Sequence, residues 1–591
     1  MTDPRPTGAP PAPAVDTDDV LAAFGRLPVG AVAAILWAFT AVALVSSFWG
    51  SLDERLASPD DAMRLVQVRE FLAGASWFDP TQTRIGLGAG YLTHWSRLID
   101  APIALLMGMF GEKVALTAWP LLLLLTTIMP LAIATERVAG RPAGLMAALF
   151  GALCLAGFSQ FRPGIIHHHN AQLAASALFV AALAAAPASR MASVAAGFAG
   201  ALELAFGLES LPVLAVAIAF YVLQFVWKPE AARNLDIFGL SFAGFTTLLY
   251  VATIPSARWL VTECDALAFN MLLLVVIGGA GIAVAQWLTH RAALSVRLIA
   301  MLAVGLASVG AFVAADRSCL AGPYGHFDPA LWPVWLDYVA EMLSASRLAA
   351  VEPVGAALYF AFPLVGLAAS GFLLWRSREW PVWMLTINFL VCFLVAILHV
   401  RGVLYANFYA VPVTALALAK AFELGTLPTM RSLVIAMSLL NPSTAGVIAI
   451  ALAPDAQANQ PPSAKGAACF ETRSYAALAA LPAGRVLAQL DLAPFVLANT
   501  PHSVVMGPYH RLDRDLVFAR RLVAGKPEDA ATPLRAAGVD YVVDCAGLVD
   551  RFADRDEPMS LRTSLLKGKA PAFLTPVDMP NSPLLVWRVA P

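Results

Sequence analysis

Apolar residues in this chain come in long blocks separated by short polar breaks, not in the fine alternation of a surface strand or helix. Thirteen blocks approach the roughly 20 residues a helix needs to cross a bilayer. They are 30–48, 114–135, 141–160, 170–187, 191–207, 210–227, 236–255, 267–288, 295–315, 353–375, 380–398, 403–421 and 431–453. The pattern predicts a polytopic α-helical membrane protein. The pair 191–207 and 210–227 nearly merges at Gly207, so losing one span there would invert everything that follows. Residues 1–29 are rich in Pro, Ala and Asp and hold no apolar core. They predict a disordered cytoplasmic tail, not a cleaved signal.

Three long polar segments interrupt the transmembrane region 30–454. Segment 49–113 follows the first span and includes 98–110, apolar but short, which predicts an interfacial helix. Segment 316–352 is the second. The third, 455–591, follows a polar, Pro-rich linker. There GRVLAQL (484–490), SVVMG (503–507), DYVVDC (540–545) and LLVWRV (584–589) predict strands, and DRDLVFARRLVAG (513–525) a helix. The fold class expected is therefore a polytopic bundle of about 13 transmembrane helices with a C-terminal α/β domain.

Composition agrees. The chain is 59% apolar and 13% charged, against about 25% charged in soluble proteins, and its mean hydropathy is +0.71. A net charge of −1 excludes a nucleic-acid partner recruited by bulk charge. Only 7 of the 39 basic residues are Lys, which with the high Ala content suggests a bacterial source. Arg and Lys fall mainly in alternate loops: Arg137, Arg190, Lys228, Arg233, Arg291, Arg376 and Arg378. The positive-inside rule puts these in the cytoplasm with the N-terminus, and the C-terminal domain in the periplasm of an inner membrane. Four of the six Cys then face an oxidising compartment. Cys469 and Cys545 flank the α/β domain and are a candidate disulfide.

Candidate chemistry gathers on the predicted outer side. Eight of nine His lie there: His94, His167, His168, His169, His326, His399, His502 and His510. Asp60 and Asp61 open an amphipathic stretch. They suit a helix N-terminus, and equally a base or a cation site. His167, His168 and His169 are adjacent, so on a helix they point about 100° apart. His168 or His169 suits a metal or a phosphate. Glu203 and Glu209 lie in or beside membrane spans, which makes them functional candidates. Arg401, with Tyr405 and Tyr409 on a helical spacing, suits an oxyanion. His94 and Trp95 form a polar-aromatic cluster, and Tyr509, His510 and Arg511 follow the strand end at Gly507-Pro508. The chain has no GxxxxGK[ST], no GxGxxG opening a helix and no CxxC. An outward-facing transferase without a nucleotide site needs a lipid-borne donor.

The layout resembles the GT-C superfamily of membrane glycosyltransferases, and within it the catalytic subunits of oligosaccharyltransferases. That resemblance implies a polyprenyl- or dolichyl-linked sugar donor used on the extracytoplasmic face. It implies a catalytic acid in the first loop, matched by Asp60 or Asp61. It implies a second-loop motif G-x-x-D-H-H-x-x-E, onto which Gly164-Ile165-Ile166-His167-His168-His169-Asn170-Ala171-Gln172 falls. The motif's Asp is here His167 and its Glu is Gln172. The divalent cation the family uses (Mg or Mn) would have Asp60, His167 and His168 as candidate ligands. Such a cation prefers carboxylates, two of which are replaced. The WWDYG-type acceptor motif is absent, so an Asn-sequon acceptor is not implied.

The expected function is transfer of a sugar or glycan from a polyprenyl-(di)phosphate to an envelope polysaccharide, lipid or protein. Asp60 or Asp61 serves the acceptor hydroxyl, and Arg401 with His168 or His169 serves the leaving phosphate. His94, Trp95, Glu209, Tyr405, Tyr509, His510 and Arg511 are the candidate substrate or acceptor residues. The alternatives are an inactive GT-C-like scaffold and a transporter or flippase of lipid-linked substrates.

Overall fold

The computed structural model describes residues 26–325, 327–452, 464–548, 552 and 559–591. The tail expected at 1–29, the linker after 454 and His326 fall almost wholly outside the described residues. All thirteen apolar blocks are largely helical. Among the described residues nine helices are long and apolar enough to cross a membrane. They become ten if the pair Met430–Leu440 and Pro442–Leu452, bent by 55°, is one span.

Two features make this count smaller than thirteen. With α1 at Val29–Phe48, α2 at Pro59–Leu72 and α3 at Arg97–Phe110, helix α4 runs from Glu112 to Ala152, 41 residues. At ~1.5 Å per residue that is roughly twice a bilayer core. It breaks at Ala139 and Gly140, the latter at φ +80°, which Gly reaches without a Cβ clash. The second half then folds back on the first. A Cβ on Gly144 would lie 2.6 Å from Glu136 Cβ, and one on Gly151 2.9 Å from Ile128. One element thus has the length of two crossings, arranged as a hairpin. After α5 (His168–Ala185), helices α6 (Arg190–Phe206) and α7 (Leu211–Trp227) have 17 residues each and turn at 207–210. The later long helices are α8 (Leu235–Thr253), α9 (Phe269–Thr289), α10 (Leu294–Ala315), α11 (Pro353–Arg376), α12 (Trp380–Leu398) and α13 (Val403–Glu423). Helices α5 and α13 are buried along most of their length. They form the centre of the bundle, and both carry candidate residues at one end.

The first long loop contributes a two-stranded ribbon, β1 (Thr81–Gln82) and β2 (Tyr91–Leu92). The C-terminal sheet has β3 (Arg485–Ala488), β4 (Ser503–Val504), β5 (Tyr541–Cys545), β6 (Leu574–Val577) and β7 (Leu584–Val589), ordered β4-β3-β5-β7-β6. Strand β3 is parallel to β4 and β5, with Val486 beside Val504 and Tyr541. Strand β7 is antiparallel to β5 and β6. Strand β6 was not expected from the sequence. It holds Pro576 and lies at the sheet edge, where a missing N–H costs nothing.

The first loop is joined to this domain. Val504 N–H donates to Arg84 O (2.8 Å), and Gly86 N–H to Val504 O (2.9 Å), so residues 84–86 extend the sheet beyond β4. Met63, Leu65 and Val66 of α2 share one apolar core with Val486, Phe495 and Val496. Disulfides join Cys469 to Cys545 and Cys264 to Cys319, while Cys154 and Cys392 are free and buried. Behind α2, buried Arg64 donates to Asp100 of α3 (2.6 Å) and lies over the Trp95 ring at 4.6 Å. Arg97 meets the same carboxylate at 3.0 Å. This pair fixes α2 against α3. Removing one member of a buried pair strands the other charge, so Asp100→Ala is expected to cost about 3–5 kcal/mol, read as a lower unfolding midpoint of the detergent-solubilised protein.

Candidate active site

The site is built on the first turn of α2. Ser58 caps the helix, its Oγ accepting from Asp61 N–H at 3.2 Å, and Pro59 sits in the first turn where its missing N–H is tolerated. The two adjacent carboxylates then diverge. Asp61 is fully buried, and its Oδ1 receives the N–H groups of Ile166 (2.7 Å) and His167 (3.0 Å) and sits 2.8 Å from His167 Nδ1. Its Oδ2 accepts from Ser58 Oγ at 2.7 Å. Burial opposes its ionisation, but the charge and hydrogen bonds of His167, with Ser58 and Ile166, hold it below the ordinary carboxylate range. Asp61 therefore ties the second outer loop to α2. The other ring nitrogen of His167 meets Gln160 Oε1 at 2.8 Å, so both are engaged.

Asp60 is partly buried and has no hydrogen bond or ion pair among the described residues. Burial raises its pKa from 3.8 to about 6. His167 lowers it, Glu341 raises it and His169 lowers it, which places all three within electrostatic range. An acid tuned towards neutrality by burial and by specific charged neighbours is a functional-site signature.

His168 and His169 start α5, and Glu209 comes from the α6–α7 turn. His169 Nδ1 is 2.7 Å from Glu209 Oε2, and His168 Nε2 is 3.4 Å from Glu209 Oε1. Arg401, at the start of α13, reaches Glu209 Oε1 at 2.8 Å and Glu341 Oε2 at 2.6 Å. Glu341 comes from the long segment 316–352 and was missed in the sequence. Its only signal was an acidic residue in a long outer loop. Burial raises Glu341, yet the cations of His169 and Arg401 hold it down at about 2. Burial likewise works against ionised Glu209, and Arg401 and His169 bring it well below the ordinary range.

This cluster separates two cavities. One of about 540 Å³ has His94, His168, Glu209, Arg401, Tyr405 and His510 on its polar side, with Val213, Met271, Phe312 and Val395 from the helices on its apolar side. The other, about 190 Å³, is bounded by Gln160, His169, Glu341, Tyr359 and the same Arg401 and Tyr405. Glu203 lies in α6, fully buried, and Tyr409 bonds Ser176 at 2.9 Å inside the bundle.

A second polar group closes the first cavity. His510 Nε2 is 2.6 Å from Asp265 Oδ2, and Arg511 grips Asp265 through Nε (2.7 Å) and Nη2 (2.6 Å) and also reaches Glu263 at 2.6 Å. His94 Nδ1 is 4.0 Å from Asp265, and its ring packs tilted against His510 at 4.9 Å. Asp265 and Glu263 flank Cys264, whose disulfide to Cys319 anchors this loop. Neither acid was singled out in the sequence. Trp95 and Tyr509 are buried beneath the site: their rings meet at 5.6 Å, and Tyr509 Oη faces Pro59 O at 3.4 Å. They support the helix that carries Asp60.

Two groups among the described residues converge closely enough to hold a metal ion, His168–His169–Glu209 and His94–Asp265–His510. A third, Cys264–Asp316–Cys319, contains the disulfide. Two imidazoles with one carboxylate suit zinc better than Mg or Mn. Asp60, His167 and His168 do not form such a group among the described residues.

The two acids of α2 should respond to pH in opposite senses. Asp60 binds its proton more tightly in the folded protein, so its contribution falls as pH rises from 3.8 through about 6. Asp60→Asn is expected to raise the unfolding midpoint at about pH 7.5, with the gain vanishing near about pH 4. Asp61 is the reverse: its stabilisation is present above the unfolded pKa and lost on acidification. Asp61→Asn should lower the midpoint by the equivalent of about 2–3 kcal/mol.

No family model and no curated protein matches the chain. Solved structures do. The archaeal oligosaccharyltransferase AglB from Archaeoglobus fulgidus, in complex with an inhibitory peptide and a dolichol-phosphate, superposes with a TM-score of 0.63 at 16% identity, over 87% of this chain and 69% of that one. The A. fulgidus oligosaccharyltransferase complex with Zn and sulfate gives 0.59 at 17% identity over 86% and 68%. Its form tethered to an acceptor peptide containing the NVT sequon gives 0.60 at 16% over 86% and 68%. At such identities the likeness establishes the fold. The chain shares the fold of these oligosaccharyltransferases, and its long apolar helices make it a multi-pass membrane protein.

Proposed function

We propose that this chain is a membrane glycosyltransferase. It moves a sugar or glycan from a polyprenyl phosphate or diphosphate to an envelope acceptor on the periplasmic face of a bacterial inner membrane. The observation that carries this reading is the position of Asp60. It is a carboxylate without a partner among the described residues, tuned towards neutrality and within electrostatic range of His169 and Glu341, whose cluster borders a cavity lined both by polar residues and by apolar helix residues. A donor with a phosphate on a long hydrocarbon chain has that same division. AglB was solved with a dolichol-phosphate, which supports a lipid-borne donor here.

In this reading Asp60 takes the proton of the acceptor hydroxyl as its oxygen bonds to the anomeric carbon. The bond from that carbon to the phosphate oxygen breaks, and the electron pair stays on the phosphate. Arg401, with His168 and His169, faces the charge that develops there. Attack and departure occur on opposite sides, so the configuration inverts. His94, Glu209, Tyr405, His510 and Arg511 line or close the cavity and are the residues in reach of an acceptor. Trp95 and Tyr509 act from beneath. The Arg-rich loops favour a cytoplasmic N-terminus.

The test is envelope glycan composition in a deletion strain complemented with wild type, Asp60→Asn or Asp61→Asn at matched membrane levels. Wild type should restore a missing sugar and Asp60→Asn should not, its transfer rate falling by about 10²–10⁴. If both Asn variants restore the profile, Asp60 is not the base, and a transporter or a scaffold takes precedence. With the purified enzyme, the rate should climb about tenfold per pH unit below about 6 and then level, as Asp60 ionises.

A further inference from the structure

We propose that His94, Asp265 and His510 form a zinc site that ties the C-terminal domain to the loops above the bundle. The site shares no residue with Asp60, His167 and His168, and it needs neither Asp60 nor the Arg401 cluster. Its three side chains come from three separate segments. His94 follows β2 in the first long loop, Asp265 lies between α8 and α9, and His510 follows β4 in the C-terminal domain. Their ligand atoms all lie within 4.8 Å of one another. Asp265 Oδ2 stands 2.6 Å from His510 Nε2 and 4.0 Å from His94 Nδ1. Ligands about 2.0–2.1 Å from a tetrahedral zinc are about 3.4 Å apart, and those two distances bracket that spacing. Side-chain movement of less than about 1 Å would seat the ion.

Hydrogen bonds alone leave this cluster incomplete. His510 is paired with Asp265, but 4.0 Å is too long for a hydrogen bond. His94 Nδ1 is therefore buried with no hydrogen-bond partner among the described residues. Such a nitrogen costs free energy, and a metal bond recovers it. Two imidazoles and one carboxylate also make up the zinc sites that keep a fourth position open. All three residues line the cavity of about 540 Å³, so the fourth position faces that cavity. Asp265 is oriented from behind, as ligating carboxylates ordinarily are. Arg511 Nη2 holds its Oδ1 at 2.6 Å and Arg511 Nε meets its Oδ2 at 2.7 Å, while Nη2 also reaches Glu263. A carboxylate has about four lone-pair sites, so the ion takes the one that His510 now uses. The Cys264–Cys319 disulfide fixes the loop that carries Asp265. Zinc would thus turn one hydrogen bond between domain and bundle into a three-way cross-link.

The test uses the full chain purified in detergent, stripped with EDTA and returned to Zn²⁺. Elemental analysis should find about one zinc per chain, bound tighter than about 10 µM, that is lost in His94→Gln and in His510→Gln and kept in His169→Gln. The last variant separates this site from His168–His169–Glu209. Co²⁺ in place of zinc should give the visible absorption of a tetrahedral ion. The wild-type unfolding midpoint should rise with Zn²⁺ concentration. His510→Glu supplies another zinc ligand and should keep the ion within about tenfold in affinity. In a cluster held by hydrogen bonds alone, that variant would set two carboxylates together and bind nothing. Where His94→Gln or His510→Gln fails to fold, zinc kept by His169→Gln still places the ion here. The proposal is overturned by the absence of zinc bound tighter than about 10 µM. It is equally overturned by zinc that is lost in His169→Gln and kept in the other two.

Discussion

The carboxylate of Asp61 is the contact on which the rest of the site depends. It is buried, and it is affordable there only because two backbone N–H groups, an imidazole and a hydroxyl surround it. All of them but the Ser58 hydroxyl come from a loop about a hundred residues away in sequence. Satisfying one charge therefore fixes the first helix of the outer loop against the start of α5. Asp60 gains its position from the same constraint. Its neighbour points inwards, and the helical rotation of about 100° turns Asp60 away from those donors.

Charge is handled the same way throughout the outer surface of the bundle. Asp60 apart, the buried charges that build the site are paired among the described residues. Arg64 and Arg97 share Asp100, Arg401 and His169 share Glu209 and Glu341, and Arg511 with His510 shares Asp265. Each group draws on different outer segments, so the pairs act as clamps between loops. The C-terminal domain takes part through His510 and Arg511 and through the sheet edge at Val504. It is a wall of the site as well as an appendage to the membrane helices. The disulfide at Cys264 holds the loop that presents Asp265.

Much of this was legible in the chain. The helical blocks, the interfacial helix at 97–110 and four of the five sheet strands follow from hydrophobic period and length. Those signals are local, and a bilayer makes them strong because backbone must be satisfied within each segment. The grouping of Asp60, His169, Glu209 and Arg401 was read only as a shared outer side. Glu341, Glu263 and Asp265 were not read at all, since an acid in a polar loop carries no periodic mark. Which Asp is held by the second loop was equally hidden: adjacent residues of the same type differ only in what surrounds them after folding. The hairpin within Glu112–Ala152 and the bend at Asn441 shift the count of spans by local breaks at a glycine and before a proline.

The sequence by itself determined a polytopic helical membrane protein with a small α/β domain and with its histidines on one side. Those properties are sums over local preference and transfer free energy, and neither needs a partner far along the chain. Tertiary structure alone decided which charges pair. It gave Asp61 to the second loop, left Asp60 without a partner among the described residues, and closed Arg401 and His169 onto Glu209 and Glu341. The physical reason is that a buried charge is priced by its neighbours, and those neighbours come from segments that only the folded bundle brings together.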